Sequence, residues 1–317
     1  MFEGVRRALA FYRFGRKECT QTGWKKHARL QVDHDLSGRV YVVTGANSGI
    51  GKELTSHLFS KGAKVYMVCR NEGRGAKARE EIATKHEQRD ADLLQVIIAD
   101  VGVKADVENA VKEISGKENA VDGLVCNAGG MLNEHTLTVD GVETIFASHF
   151  LFGTYALSLQ MAPLLKKVED PRIVVVSSGG MYSSPLYSLK RLMDNKAGYN
   201  PQLVYAQAKR AQVTLGEFWD TSCPEVPMFV AHPGWTLTPG VEGVYGRVGQ
   251  WLLSPLRTLW EGTEGLAWLA MTETSNLQKG EFYLDGIVQP KHLHSSTKVP
   301  LSKEVKFISD LKDYLKE

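Results

Sequence analysis

The chain has 317 residues, 43% hydrophobic and 23% charged, which excludes a disordered chain and allows one large α/β domain or two small ones. Its 38 Lys and Arg nearly balance 36 Asp and Glu, leaving +2, so bulk charge does not hold it on nucleic acid. Cys19, Cys69, Cys126 and Cys223 lie far apart, with no Cys-x-x-Cys and no ligand-like spacing to His, which argues against a disulfide scaffold or metal site and for a reducing, intracellular compartment.

Charge concentrates at the start. Residues 1–30 carry eight basic and two acidic side chains. On a helical wheel Met1, Phe2, Val5, Ala8, Leu9 and Tyr12 share one side, flanked by Arg6, Arg13 and Lys17. Such a segment suits peripheral contact with a membrane, a mitochondrial address, or a helix packed on its own cytoplasmic domain. Residues 1–36 therefore read as a basic N-terminal extension.

From residue 39 onward, short apolar runs alternate with helical stretches. The expected strands are Arg39–Thr44, Lys64–Cys69, Leu94–Asp100, Gly123–Cys126, Arg172–Ser177, Pro227–Ala231 and Glu281–Leu284. Helices are expected over 49–61, 74–88, 103–117, 141–167, 202–221 and 256–273. Most strand runs are continuously apolar, as in strands covered on both faces. The alternation predicts a doubly wound α/β Rossmann fold with a seven-stranded parallel sheet, one domain over 37–290. Residues 291–317 read as a C-terminal extension with a helix. Ligands of such a fold bind beyond the carboxyl ends of the strands.

The first strand ends in Thr44-Gly45-Ala46-Asn47-Ser48-Gly49-Ile50-Gly51. Glycines let backbone turn tightly against a pyrophosphate, and the helix that follows offers its amides and positive dipole end. The spacing is Gly-x-x-x-Gly-x-Gly, neither the Gly-x-Gly-x-x-Gly turn nor a P-loop. At the end of the second strand, Cys69-Arg70-Asn71 has no carboxylate for a ribose hydroxyl. Arg70, with Arg74 nearby, suits a 2′-phosphate, so NADP(H) is favoured over NAD(H).

Ile145 to Leu165 is a run of 21 residues without Lys, Arg, Asp or Glu, about a bilayer span in length. Its Ser148, His149, Thr154, Ser158 and Gln160 favour a long buried helix, which could also serve a homodimer interface. The fifth strand then delivers Ser177 and Ser178 to the carboxyl edge. Tyr205 and Lys209, at i and i+4, share a helix face, where an ammonium favours the phenolate.

The glycine turn, Asp100, Asn127-Ala128-Gly129, Ser177-Ser178, Tyr205-x3-Lys209 and His232-Pro233-Gly234 occur in one order on one α/β pattern. Over about residues 38–290 the chain resembles the short-chain dehydrogenase/reductase family, and with Arg70 and the long interval from Ser178 to Tyr205 its retinol-dehydrogenase-like branch. The resemblance implies that Tyr205 is the general acid/base, Ser178 the carbonyl stabiliser, and Lys209 the ribose binder that lowers the Tyr pKa. It implies a cofactor site that adds Asp100, Val101, Asn127, Ala128, Gly129, Pro233, Gly234 and Thr238 to Thr44, Gly45, Asn47, Ser48, Gly49, Ile50, Gly51 and Arg70. One departure stands out: aligned on Phe146, His149 occupies the place of the family's proton-relay Asn. It is either a relay group or a buried histidine satisfied locally.

The reaction so implied is NADP-dependent hydride transfer with a small-molecule carbonyl or alcohol. Trp235, Leu237, Val241, Val244, Tyr245, Trp251 and Leu252 suggest a lid over an apolar substrate, or ordinary packing of a substrate loop. The rival is a non-catalytic NADP-binding or assembly protein of the same fold. NADPH oxidation separates the two.

Overall fold

Seven of the β-branched runs form parallel strands of one sheet in a computed structural model that describes residues 2–27, 29–238 and 254–316. They are β1 (Val40–Thr44), β2 (Lys64–Cys69), β3 (Leu94–Ile98), β4 (Gly123–Cys126), β5 (Arg172–Val176), β6 (Met228–Ala231) and β7 (Phe282–Leu284). The order is β3-β2-β1-β4-β5-β6-β7, and an eighth strand, β8 (Ile287–Val288), adds antiparallel to β7. This extra strand is two residues long, too short to leave an alternating pattern. Asp285 and Gly286 make its tight turn with φ of 53° and 74°, the left-handed values a two-residue hairpin needs.

Successive strand side chains point to opposite faces. Val42, Val68, Leu124 and Val175 therefore join one core, while Tyr41, Met67, Val125 and Val174 join the other. Helices α3 (Gly49–Ser60), α4 (Glu72–Lys85) and α10 (Leu259–Met271) cover the second face. Helices α5 (Lys104–Lys117), α7 (Leu157–Leu165), α8 (Leu189–Asp194), α9 (Pro201–Phe218) and α11 (Leu301–Leu315) cover the first. The chain order reverses between β1 and β4, which opens a crevice at their carboxyl ends.

The long middle helix differs from the expected 141–167. It starts later, at α6 (Thr144–Phe146), because the Glu143 carboxylate accepts from Ile145 N and Phe146 N and caps it. Ala147–Ala156 then runs as a wide π-helix before α7. A Cβ on Gly153 would lie 1.9 Å from the Ser148 carbonyl oxygen, so glycine is what allows this pitch. The carbonyl of His149 accepts from Thr154 Oγ1 at 2.7 Å and Gln212 Nε2 at 2.6 Å. Nearly all of this uncharged stretch is buried within the chain, with Phe150 packed 5.7 Å from Phe307 of α11. Its apolarity is thus no argument for a subunit interface. Among the described residues no helix is long and apolar enough to cross a membrane.

The N-terminal segment forms α1 (Phe2–Phe14), a π turn (Gly15–Cys19) and α2 (Gln21–Trp24). The apolar side of the wheel is not the side that packs on the domain. Val5, Leu9 and Tyr12 are 65%, 46% and 40% exposed, whereas Phe11 and Phe14 turn inward onto Tyr182. What α1 packs against, the turn after β5, is distant in sequence, so local periodicity does not reveal it.

Candidate active site

The glycine turn is stitched to the end of β4. Thr44 Oγ1 accepts from Asn127 N at 3.0 Å and Ala128 N at 2.9 Å, and Asn127 Nδ2 donates to Thr44 O at 2.9 Å. The chain can close this tightly only without side chains: a Cβ on Gly51 would meet Asn127 Nδ2 and Gly45 O, each at 2.4 Å. Gly45 and Gly49 hold positive φ, 66° and 53°. Ser48 precedes α3 without capping it through its side chain, which leaves the N-terminal amides of the helix toward the cleft. Such a cradle fits a dinucleotide pyrophosphate.

One cleft of about 820 Å³ brings the expected residues together. Gly45, Asn47, Ser48, Gly49, Ile50 and Gly51 line it, with Arg70, Asp100, Val101, Asn127, Ala128 and Gly129 further along. His149, Ser178, Tyr205, Lys209, Pro233, Gly234 and Thr238 also line it. Thr44 alone of the expected set stands behind the wall, fully buried and bracing the turn. Arg70 is largely exposed and donates from Nη1 to Asp100 Oδ2 at 3.4 Å. Asn71, whose side chain caps α4 through Arg74 N, and Arg74 also line this end.

The two serines have different surroundings. Ser177 Oγ is buried and donates to the Lys209 carbonyl at 3.0 Å. Ser178 Oγ is part-buried and accepts from Gly180 N at 3.1 Å. Lys209 and Tyr205 sit on successive turns of α9, with Lys209 Nζ 5.5 Å from the centre of the Tyr205 ring. The same Nζ donates to Val176 O at 2.7 Å, and burial pulls its pKa down to about 7.

His149 crosses the Tyr205 ring edge-on, with centres 5.2 Å apart. Its ring occupies the space a Cβ on Gly129 would need, so glycine and histidine fit as a pair. Nε2 donates to the Gly130 carbonyl at 3.0 Å, while Nδ1, buried, has no hydrogen-bond partner among the described residues. Burial first, then the Lys209 charge, holds the pKa well below the ordinary value and the ring neutral. The histidine is therefore only half satisfied locally.

Sequence reasoning did not anticipate three features of this cleft. Ala8, Phe11 and Tyr12 of α1 line it. So does His232, whose two ring nitrogens lack partners among the described residues and whose pKa burial lowers to about 3. Arg257, fully buried, pairs with Asp285 and donates to the carbonyls of Glu18 and Cys19, tying the N-terminal segment down. No local signal marks the contacts of α1 and of Arg257 with the N-terminal segment, whose partners lie far along the chain; His232 belonged to a recognised motif but was not assigned to the site. Of the expected lid, Trp235 lines the cleft and Leu237 is 40% exposed; Val241, Val244, Tyr245, Trp251 and Leu252 lie outside the described residues.

Residues 39–188 match the family model of short chain dehydrogenases. The chain is 34% identical over 300 residues to dehydrogenase/reductase SDR family member 12 of Homo sapiens, covering 92% of each chain. It is 30% identical over 261 residues to retinol dehydrogenase 12 of Bos taurus, covering 80% of each. Among solved structures it is similar to Pseudomonas aeruginosa RhlG in an NADP active-site complex, with TM-score 0.62, 19% identity, 80% of this chain and 96% of that one. A short-chain type dehydrogenase/reductase from Mycobacterium marinum gives TM-score 0.63 at 20% identity, over 84% and 98% of the two chains. At those identities the structures speak for the fold alone. The sequence relatives, matched nearly end to end, carry the assignment: this chain belongs to the short-chain dehydrogenase/reductase family of NAD(P)-using oxidoreductases.

Proposed function

We propose that the protein catalyses NADP-dependent hydride transfer involving an apolar carbonyl or alcohol. The observation that carries this reading is the meeting of Ser178, Tyr205 and Lys209 in the cleft that the glycine turn opens. When bound, the nicotinamide supplies or takes the hydride. Ser178 Oγ donates a hydrogen bond to the substrate oxygen and stabilises its growing negative charge. Tyr205 gives that oxygen its proton during reduction and takes it back during oxidation. Lys209, in its ammonium form, favours the phenolate beside it and would offer donors to the nicotinamide ribose. His149 Nδ1, an acceptor because Nε2 carries the proton, is the point at which a relay water would bind. Asp100 and Val101 would hold the adenine end of the cofactor, and Pro233 and Thr238 its nicotinamide end.

The direct test is NADPH oxidation by purified protein against a panel of apolar aldehydes and ketones. NADPH binding without turnover of any of them leaves the non-catalytic cofactor-binding reading instead.

Cofactor choice rests on Arg70. A guanidinium forks onto phosphate oxygens, whereas its present partner, Asp100, sits at 3.4 Å in a solvent-exposed pair of small worth. Arg70→Ala should weaken NADPH binding roughly tenfold or more and leave NADH nearly unaffected. Equal losses in fluorescence titrations with both cofactors would discard the phosphate assignment.

The outer stripe of α1, Val5 and Leu9 flanked by exposed Arg6 and Arg13, has the make-up of a peripheral contact with an anionic bilayer. Leu9→Glu should lower co-sedimentation with phosphatidylserine-containing vesicles, and added salt should lower it for the unaltered protein. Equal sedimentation of variant and parent would sink the contact.

A further inference from the structure

The inner side of α1 does something the outer stripe does not. Gly179 follows Ser178 directly, and a Cβ there would lie 2.5 Å from Phe11 Cε2. A Cβ on Gly15 would lie 2.0 Å from Trp235 Cζ2. Two missing side chains therefore let α1 seat itself against the turn that carries Ser178 and against the segment that follows β6. Phe11 meets Trp235 edge-on with ring centres 5.9 Å apart, and Tyr12 lies 6.2 Å from the same indole.

The seat is latched by backbone hydrogen bonds. Trp235 N donates to Cys19 O at 2.7 Å and Gln21 N to Pro255 O at 3.0 Å, so the segment after α1 ties together residues on both sides of 239–253. Arg257 adds Nε to Cys19 O at 2.9 Å and Nη2 to Glu18 O at 2.8 Å. A segment held this way belongs to the site, not to an appendage.

We infer that Phe11 and Tyr12 are specificity-determining residues which, with Trp235, form an aromatic wall for the apolar part of the substrate. The inference rests on the oxidoreductase reading for the word substrate, but the wall itself is a matter of binding. Beside the charged Arg70, Arg74 and Asp100, the cleft has an apolar lining of Phe11, Tyr12, Met131, Leu132, Trp235 and Leu256. Flat rings present large apolar area at fixed orientation, which suits a long hydrocarbon chain or a ring beside the reacting carbon. Small polar carbonyls would leave that area wet and gain nothing from it.

Equilibrium binding separates these cases without needing turnover. Decan-1-ol and propan-1-ol are titrated calorimetrically into the full chain with NADPH present, for the unaltered protein, Tyr12→Ala and Phe11→Ala. Tyr12 is 40% exposed, so its replacement leaves folding intact and keeps the test readable whatever Phe11→Ala does to the seat of α1. Each folded variant should bind decan-1-ol about tenfold more weakly, with propan-1-ol and NADPH affinities unchanged. Unchanged decan-1-ol affinity in Tyr12→Ala overturns the wall, as does failure of the unaltered protein to bind decan-1-ol. Variant-sensitive decan-1-ol binding by a protein that reduces no carbonyl supports the wall and removes the oxidoreductase proposal instead.

Discussion

Replacing Tyr205 with Phe should lower kcat/KM for carbonyl reduction by about 10²–10⁴-fold, the usual contribution of a positioned general acid, while NADPH binds as before. Only one oxygen is removed, so ring packing against His149 and the position of Lys209 stay as they are. The cofactor cradle is built from other residues, chiefly Gly45, Gly51 and Asn127, and should not sense the change. The measurement is steady-state NADPH oxidation with any carbonyl that the unaltered protein reduces, paired with a cofactor titration. A variant with undiminished turnover would remove Tyr205 from the chemistry. A variant that lost cofactor binding as well would show that the phenol supports the cleft rather than the proton transfer.

Asp285→Asn should destabilise the fold by about 3–5 kcal/mol, the cost of leaving one partner of a buried ion pair uncompensated. Arg257 is 1% exposed, and its Nη1 and Nη2 meet the two Asp285 oxygens at 2.6 and 2.7 Å. Its remaining donors reach the carbonyls of Glu18, Cys19 and Thr20, so the guanidinium joins the N-terminal segment to the β7–β8 turn. A Cβ on Gly234 would lie 2.3 Å from Arg257 Nε, so the cleft end of β6 leans on the same group. Asparagine keeps the shape and tolerates the φ of 53° at this position, which isolates the effect of charge. Urea denaturation at neutral pH reads the difference. A loss under about 1 kcal/mol would put the pair in the class of screened surface bridges.

The parts of the site that were legible before any coordinates are those whose chemistry is encoded over a few adjacent residues. The glycine turn, the Tyr205–Lys209 step and the Ser177-Ser178 strand end all satisfy local geometric needs, such as a tight turn or one helix face. The same holds for the parallel strands, whose two-sided burial shows as unbroken apolar runs. Boundaries moved where side chains intervened, as when Glu143 capped the middle helix and delayed its start to Thr144. The eighth strand was invisible because Ile287–Val288 is shorter than one period of pattern can reveal.

The orientation of α1 shows the limit most clearly. An amphipathic wheel ranks faces by composition and leaves open what each face meets; the structure leaves Val5 and Leu9 outward. Phe11 and Phe14 won the inner side because Gly15, Gly179, Trp235 and Tyr182 make a surface that accepts their rings. Sequence by itself determined the α/β class and marked the glycine turn, short-range consequences of backbone freedom and periodicity, while the Ser–Tyr–Lys group was singled out by the family resemblance. Only the tertiary structure decided that the first helix walls the cleft, that His149 pairs with Gly129, and that Arg257 anchors the N-terminal segment. These are contacts between residues distant along the chain, and shape complementarity of that kind has no local signature.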